Sequence, residues 1–152
     1  MSTAEDDANN YTQEAQKCAK KMFGGVTKAE EACTLYAKAA NSYKMAKNWT
    51  AAGKSFTEAA KLQQHRIKTA HEAARLYSEA ANCYRKEDMR AAIKSLETAN
   101  TIYNDMGKFN FVAKNHVVIA ELYESKDVGD FEKAMDHYTQ VMDIPLLLLS
   151  GG

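Results

Sequence analysis

"EEACTLYAKAANSYK" at residues 30–44 comes back as "HEAARLYSEAANCYR" at residues 71–85, a shift of about forty residues. Leu35-Tyr36 lies over Leu76-Tyr77, Ala39-Ala40-Asn41 over Ala80-Ala81-Asn82, and Tyr43 over Tyr84. The stretch after each copy repeats as well: "AAGKSFTEAAKL" (51–62) matches "AAIKSLETANTI" (91–102). A weaker third copy puts "VVIAELYES" (117–125) and "FEKAMDHYTQ" (131–140) in the two slots. The repeated unit is therefore a pair of segments, present nearly three times.

Both segments have the period of a helix. Leu35, Ala39, Ala40 and Tyr43 fall at i, i+4, i+5 and i+8, which gathers them on one broad face. Ala52, Phe56, Ala59 and Ala60 do the same in the second segment. Breaks come at Lys47-Asn48, Glu87-Asp88, Gly107, and Asp127 to Asp130 around Gly129. Together these predict helices at about 6–21, 28–45, 49–64, 67–85, 89–105, 109–125 and 130–142. Alanines facing aromatic and leucine side chains let two helix backbones approach while the larger neighbour fills the groove. One pair cannot bury its apolar stripe alone, whereas stacked pairs share a continuous core. The expected fold is all-α: an α-solenoid of antiparallel helix pairs, a right-handed twisted helical sheet resembling the tetratricopeptide repeats, with about seven helices. It is expected over residues 1–142, with a divergent apolar tail at 143–152. That tail can fold back over an apolar helix face or stand free. Trp49 and Phe56 lie on the periodic apolar face and are expected in the core.

With 152 residues the chain has the length of one domain. Its formal net charge of zero argues against a general nucleic-acid binder, so no nucleic-acid partner is expected. Cys18, Cys33 and Cys83 are odd in number and form no CxxC pair, as suits reduced thiols in a cytosolic protein. The start, "MSTAEDDANN", is polar and acidic with no secretory signal, and the apolar run 144–149 is too short to span a bilayer. No Walker A sequence, GxGxxG, HExxH or nucleophile elbow is present. His65 and His71 lie near a helix boundary, and His116 and His137 fall in separate helices without ligand-spaced partners. Neither an enzyme, a metal site nor a cofactor is expected.

Two features remain for function. Lys44, Lys47, Arg85, Lys86, Lys108 and Lys114 stand at turns, helix ends and nearby positions. Lys44 and Arg85 are repeat-equivalent, so a solenoid would hold them in register one repeat apart. Each is readable as an ordinary solvated helix end, where a cation complements the helix dipole. As a group they read as a basic face for an acidic partner, weakened by salt. The other feature is the loop in "KKMFGGVTK" (20–28), where Met22, Phe23 and Val26 sit between Lys20, Lys21 and Lys28. Those apolar side chains either cap the first helix pair or insert into a membrane whose acidic headgroups attract the lysines.

The residues also carry a resemblance. "FGG" (23–25), "YKMAKNWTAAG" (43–53), "YNDMGKFNFVAKNH" (103–116) and "IAELYE" (119–124) are similar to segments of the soluble NSF attachment proteins, the SNAP family, alpha and beta type. The likeness runs from about residue 10 to residue 140, and "YKMAKNWTAAG" is its most specific part. It implies a non-enzymatic adaptor, cytoplasmic and peripheral on membranes, that wraps the four-helix SNARE bundle and recruits the ATPase NSF. By the resemblance, Lys47, Lys86, Lys108 and Lys114 face the SNAREs, and the loop 22–26 touches membrane. Lys108 stands where the alpha type has arginine, which keeps the charge and loses the planar fork. The segment that stimulates NSF lies in the family's C-terminal half, beyond the matched residues. The alternative reading is a general repeat scaffold for protein binding, without a role in SNARE disassembly.

Overall fold

The second helix of every pair opens on a short polar side chain that caps it. Asn48 Oδ1 accepts from the Ala51 N–H at 3.2 Å, Asp88 Oδ1 from Ala91 at 3.0 Å, and Asp130 Oδ1 from Lys133 at 3.1 Å. Each such cap satisfies an amide donor the helix cannot, and is worth roughly 0.5–2 kcal/mol. The first helix starts on a capping box, with Thr3 and Asp6 exchanging backbone-to-side-chain hydrogen bonds at 3.0 and 3.1 Å.

The computed structural model describes residues 1–21 and 23–149. Among them the helices are α1 (Ala4–Lys20), α2 (Gly25–Met45), α3 (Trp49–Leu62), α4 (Ala70–Tyr84), α5 (Met89–Asp105), α6 (Phe109–Glu124), α7 (Phe131–Met142) and the single turn α8 (Leu146–Leu149). The seven long helices are the ones the repeat predicts, and no described residue lies in a strand. Three helix starts differ for local reasons, and one is α2, which opens at Gly25, ahead of the expected residue 28, directly after the left-handed bend at Gly24. Thr3 starts α1 earlier than expected, because it, and not a later residue, supplies the cap. Between α3 and α4 the chain widens into a π-turn, Gln63–Ile67, closed by Lys68 in the left-handed region, so α4 begins only at Ala70.

Cross-helix hydrogen bonds fix the pairs as antiparallel. Tyr43 donates from the end of α2 to Asn9 near the start of α1 at 2.6 Å. The Cys33 thiol, near the start of α2, reaches the Ala59 carbonyl near the end of α3. The Thr50 hydroxyl at the start of α3 donates to Glu87, just past α4, at 2.6 Å. Between α5 and α6 a buried pair does the same work: Asn115 donates to Asn100 at 2.9 Å, and Asn100 donates to the Val112 carbonyl at 3.3 Å. The core is a ladder of fully buried alanines (Ala39, Ala40, Ala59, Ala60, Ala80, Ala81, Ala99) with Phe56, Leu76, Leu96 and the tyrosines between its rungs. Phe56 is core, as its position on the periodic face implies. Cys33 and Cys83 are buried free thiols that pack in the core, and burial raises both above the usual thiol range.

The apolar tail takes neither of its expected forms fully. Ile144 packs on the core, and Leu148 lines a cleft with Phe109, Val112, His116 and Pro145. The tail thus folds back over the start of α6, while the outward side of α7 stays open to solvent.

Candidate binding surfaces

Because the turns alternate, they form two opposed edges. The α2–α3, α4–α5 and α6–α7 turns share one edge; the α1–α2 turn, the π-turn and the α5–α6 turn share the other. The candidate cations divide accordingly. Lys44, Lys47, Arg85 and Lys86 stand at the first edge. Lys108 caps α6 at the second, and Lys114 is exposed within the first half of that helix. A helix the length of α5 separates the edges, about 25 Å at 1.5 Å per residue. The six therefore form two groups on opposite halves of the helix sheet, because an odd number of helices lies between the turns that carry them.

The first edge is built with some care. Lys44 and Arg85 sit one repeat apart, in the last turn of α2 and at the end of α4. Lys47 occupies the left-handed region at φ 59°, a conformation that glycine adopts in two other turns, at Gly107 before α6 and Gly129 before α7. A side chain there costs on the order of 1 kcal/mol against glycine. The Lys86 ammonium lies 5.5 Å from the centre of the Trp49 ring. Trp49 is thus half-buried at the surface and not in the core as its spacing suggests: the periodic face runs out at the start of α3, and the next repeat's turn supplies a cation to cover the ring. Glu87 is occupied by the Thr50 amide and hydroxyl, which ties α3 to the α4–α5 turn and fixes the spacing of the flanking cations. Replacing Lys47 by glycine is expected to leave stability unchanged or raise it by up to ~1 kcal/mol. Binding to an acidic partner should fall at the same time, which thermal melts and a binding isotherm on one preparation separate.

At the second edge Phe23 is 93% exposed and packs on nothing in the helix pair. It therefore does not cap that pair. Lys20 and Lys21 are exposed beside it, and Met22 lies outside the described residues. Val26, 49% exposed, belongs to the first turn of α2, not to the loop, because the helix already starts at Gly25. Lys28 is engaged by Glu31 at 2.9 Å, so it is less available than Lys20 and Lys21. At Gly24, φ is 112° and a Cβ would stand 2.5 Å from Lys28 Cγ, so the bend before α2 requires glycine. The spacing of residues alone gave no hint of Arg66. From the π-turn it donates to the Ala19 carbonyl at 2.7 Å and the Lys21 carbonyl at 3.4 Å, satisfying the open end of α1 and pinning the base of the Phe23 loop.

The histidines are not all separate. His116 and His137 bring their Nδ1 atoms to 2.9 Å across α6 and α7, with Tyr123 stacked on His137 and Glu97 of α5 3.9 Å from His137 Nε2. Burial holds both imidazoles below their ordinary range; His137 deepens the effect on His116, while Glu97 and Asp136 oppose it for His137. A base whose folded pKa is depressed binds more protons when unfolded, so stability is full above the unfolded pKa and declines as pH falls below about 6.5. Denaturant melts from neutral to mildly acidic pH should show that decline, and His137→Gln should flatten it. No group of three or more metal-ligating side chains gathers among the described residues.

A sheet of paired helices with cations at its turns and an exposed aromatic loop is the architecture of a helical-repeat protein. Its sequence matches the family described as "Soluble NSF attachment protein, SNAP" over residues 6–144. It is 45% identical over 122 residues to the beta-soluble NSF attachment protein of Bos taurus, covering 80% of this chain and 40% of that protein. Against the alpha-soluble NSF attachment protein of Homo sapiens it is 45% identical over 137 residues, covering 90% of this chain and 46% of that one. A probable vesicular-fusion protein sec17 homolog of Schizosaccharomyces pombe is 33% identical over 133 residues, 81% of this chain and 45% of its own length. The chain belongs to the SNAP family, and it spans under half the length of these curated relatives.

Proposed function

We propose that this chain is a SNAP-type adaptor that grips an assembled SNARE bundle through its two groups of cations and touches the membrane through residues 22–26, the loop and the first turn of α2. The reading rests on one observation above the rest: Lys47 is held in a strained left-handed turn between the in-register Lys44 and Arg85, with Lys86 propped on Trp49. An acidic rod lying across the sheet from one edge to the other would meet both groups. Long-range attraction of this kind tolerates variation in the partner's surface and weakens with salt.

The loop adds a weak second contact. A fully buried Phe is worth roughly 1.5–3 kcal/mol and a near-surface lysine on the order of 1 kcal/mol against an acidic leaflet, with partial insertion giving less. Alone this gives reversible attachment; beside a bundle anchored in the same membrane it raises effective concentration. Replacing Met22 and Phe23 by serine is expected to lower capture on SNARE-bearing acidic vesicles several-fold while leaving binding to soluble bundle unchanged. Equal loss in both assays would reject the membrane contact.

Stimulation of NSF belongs, by the resemblance, to the family's C-terminal half, outside the matched residues. NSF, ATP, a full-length relative and labelled SNARE bundle therefore provide the test, with this chain added in excess. Engagement of the bundle changes the disassembly rate, and competition with the relative slows it. A rate unmoved at saturating chain would overturn the reading.

A further inference from the structure

Among the described residues, the non-glycine positions with left-handed backbone are both lysines: Lys47 at φ 59° and Lys68 at φ 65°. Lys47 stands with the first-edge cations, whereas Lys68 closes the π-turn at the second edge. There the Thr69 amide donates to the Gln63 carbonyl at 2.9 Å, the long bond of a Schellman cap, whose left-handed residue is usually glycine. A lysine in that conformation is disfavoured against glycine, and a π-turn is itself a rare departure from the helix. Local stability therefore does not account for the residue chosen. Lys68 is exposed, and no ion pair holds it among the described residues. The π-turn is also fastened to the neighbouring loop: Arg66 donates to the Ala19 and Lys21 carbonyls, so the turn and the base of the Phe23 loop form one piece. That piece presents exposed Phe23 and Val26 beside the exposed cations Lys20, Lys21 and Lys68. Of the acids around it, Glu31 is paired with Lys28 and Glu72 with Arg75. Glu30 is exposed at the start of α2, and Asp105 lines a cleft with Lys68 and His65, which leaves positive charge in excess.

We propose that the π-turn between α3 and α4 is a second membrane contact, in which Lys68 meets anionic phospholipid headgroups while Phe23 enters the apolar boundary beside it. The inference rests on the loop contact proposed above and extends it from one turn to a linked pair. An acidic bilayer suits this piece better than an acidic protein does, because its cations flank exposed apolar side chains, the pairing that holds a segment at a membrane interface. Arg66 makes the pair act together. With the two turns joined, seating of Phe23 brings Lys68 to the headgroups at high effective concentration. A lysine near an acidic leaflet is then worth about fivefold in affinity, and the gain fades as salt is raised.

Cosedimentation of the intact chain with SNARE-free vesicles of phosphatidylcholine and phosphatidylserine tests this. Lys68→Gly removes the charge and relaxes the turn, so the melting temperature should hold or rise while affinity for the acidic vesicles falls about fivefold. Lys68→Arg keeps the charge and should bind as the unaltered chain does. Neither change should alter binding to soluble SNARE bundle. Phe23→Ser, measured alongside, separates this proposal from the loop contact it extends. Loss with Phe23→Ser and none with Lys68→Gly overturns the π-turn contact alone. Loss with Lys68→Gly and none with Phe23→Ser supports the π-turn and rejects the loop, and loss with neither overturns both. If Lys68→Gly weakens bundle binding as much as vesicle binding, or weakens binding to pure phosphatidylcholine vesicles equally, the assignment of Lys68 to acidic headgroups fails.

Discussion

Replacing Lys47 and Lys86 by glutamate together is expected to weaken binding to the assembled SNARE bundle by roughly five- to a hundredfold while the melting temperature stays nearly unchanged. An exposed ion pair contributes about 0.2–1 kcal/mol, and reversing a charge replaces attraction with repulsion, so two reversals lose roughly 1–3 kcal/mol. The fold should not notice. Both side chains are exposed, and the Lys86 ammonium over the Trp49 ring contributes only about 0.5–1 kcal/mol at such a site. Reversing Lys108 and Lys114 tests the other half of the sheet. The two groups are about 25 Å apart, well beyond the ~8 Å screening length at physiological salt, so the losses should add. Titration calorimetry on the two double variants and their quadruple combination checks the sum. A quadruple variant no weaker than the more affected double, with the other double unchanged, would mean that only one group touches the partner.

Replacing Gly53 by isoleucine, the residue its own repeat carries as Ile93, is expected to cost about 3 kcal/mol or more. Swapping toward an internal consensus often stabilises a repeat protein, and glycine in a helix interior is about 1 kcal/mol worse than alanine. Both arguments point toward gain. Packing decides otherwise: a Cβ at Gly53 would stand 2.6–2.7 Å from three ring atoms of Tyr84, a buried residue whose whole ring would have to shift. At Ile93 the facing tyrosine, Tyr123, leaves a cleft shared with Arg90 and Glu97, so the same slot holds a large side chain. Thermal melts should show a drop of roughly 6–12 °C for a chain of this length. An unchanged or raised melting point would mean that α3 and α4 separate freely, and the close packing inferred from the alanine ladder would fall with it.

The alanine ladder was legible because the repeat states it twice: Ala39-Ala40 and Ala80-Ala81 fall in the same slot, and only helices packed at short range need alanine there. Trp49 misled because periodicity has no sense of where a helix face meets an edge; the ring's neighbour, Lys86, comes from the next repeat. The division of the cations was available by counting turns, since Lys47 and Lys108 follow α2 and α5 and so lie at opposite edges. Other features were not available. His116 and His137 are 21 residues apart, and their meeting depends on how α6 crosses α7. Arg66 reaches α1 only because a π-turn widens the chain beneath it, and no local pattern in "QQHRI" announces that turn. The exposure of Met135 and Met142 on α7 was not legible either, since both read like any other apolar residue on a helical stripe.

The most direct measurement is the affinity of the unaltered chain for assembled SNARE bundle and for the separated SNARE helices, followed across a salt series. Two sets of lysines held by a rigid sheet should prefer the bundle at least tenfold and lose that affinity steadily as salt is raised from ~50 to ~200 mM. Equal affinity for bundle and separated helices, or binding that ignores salt, would contradict the account.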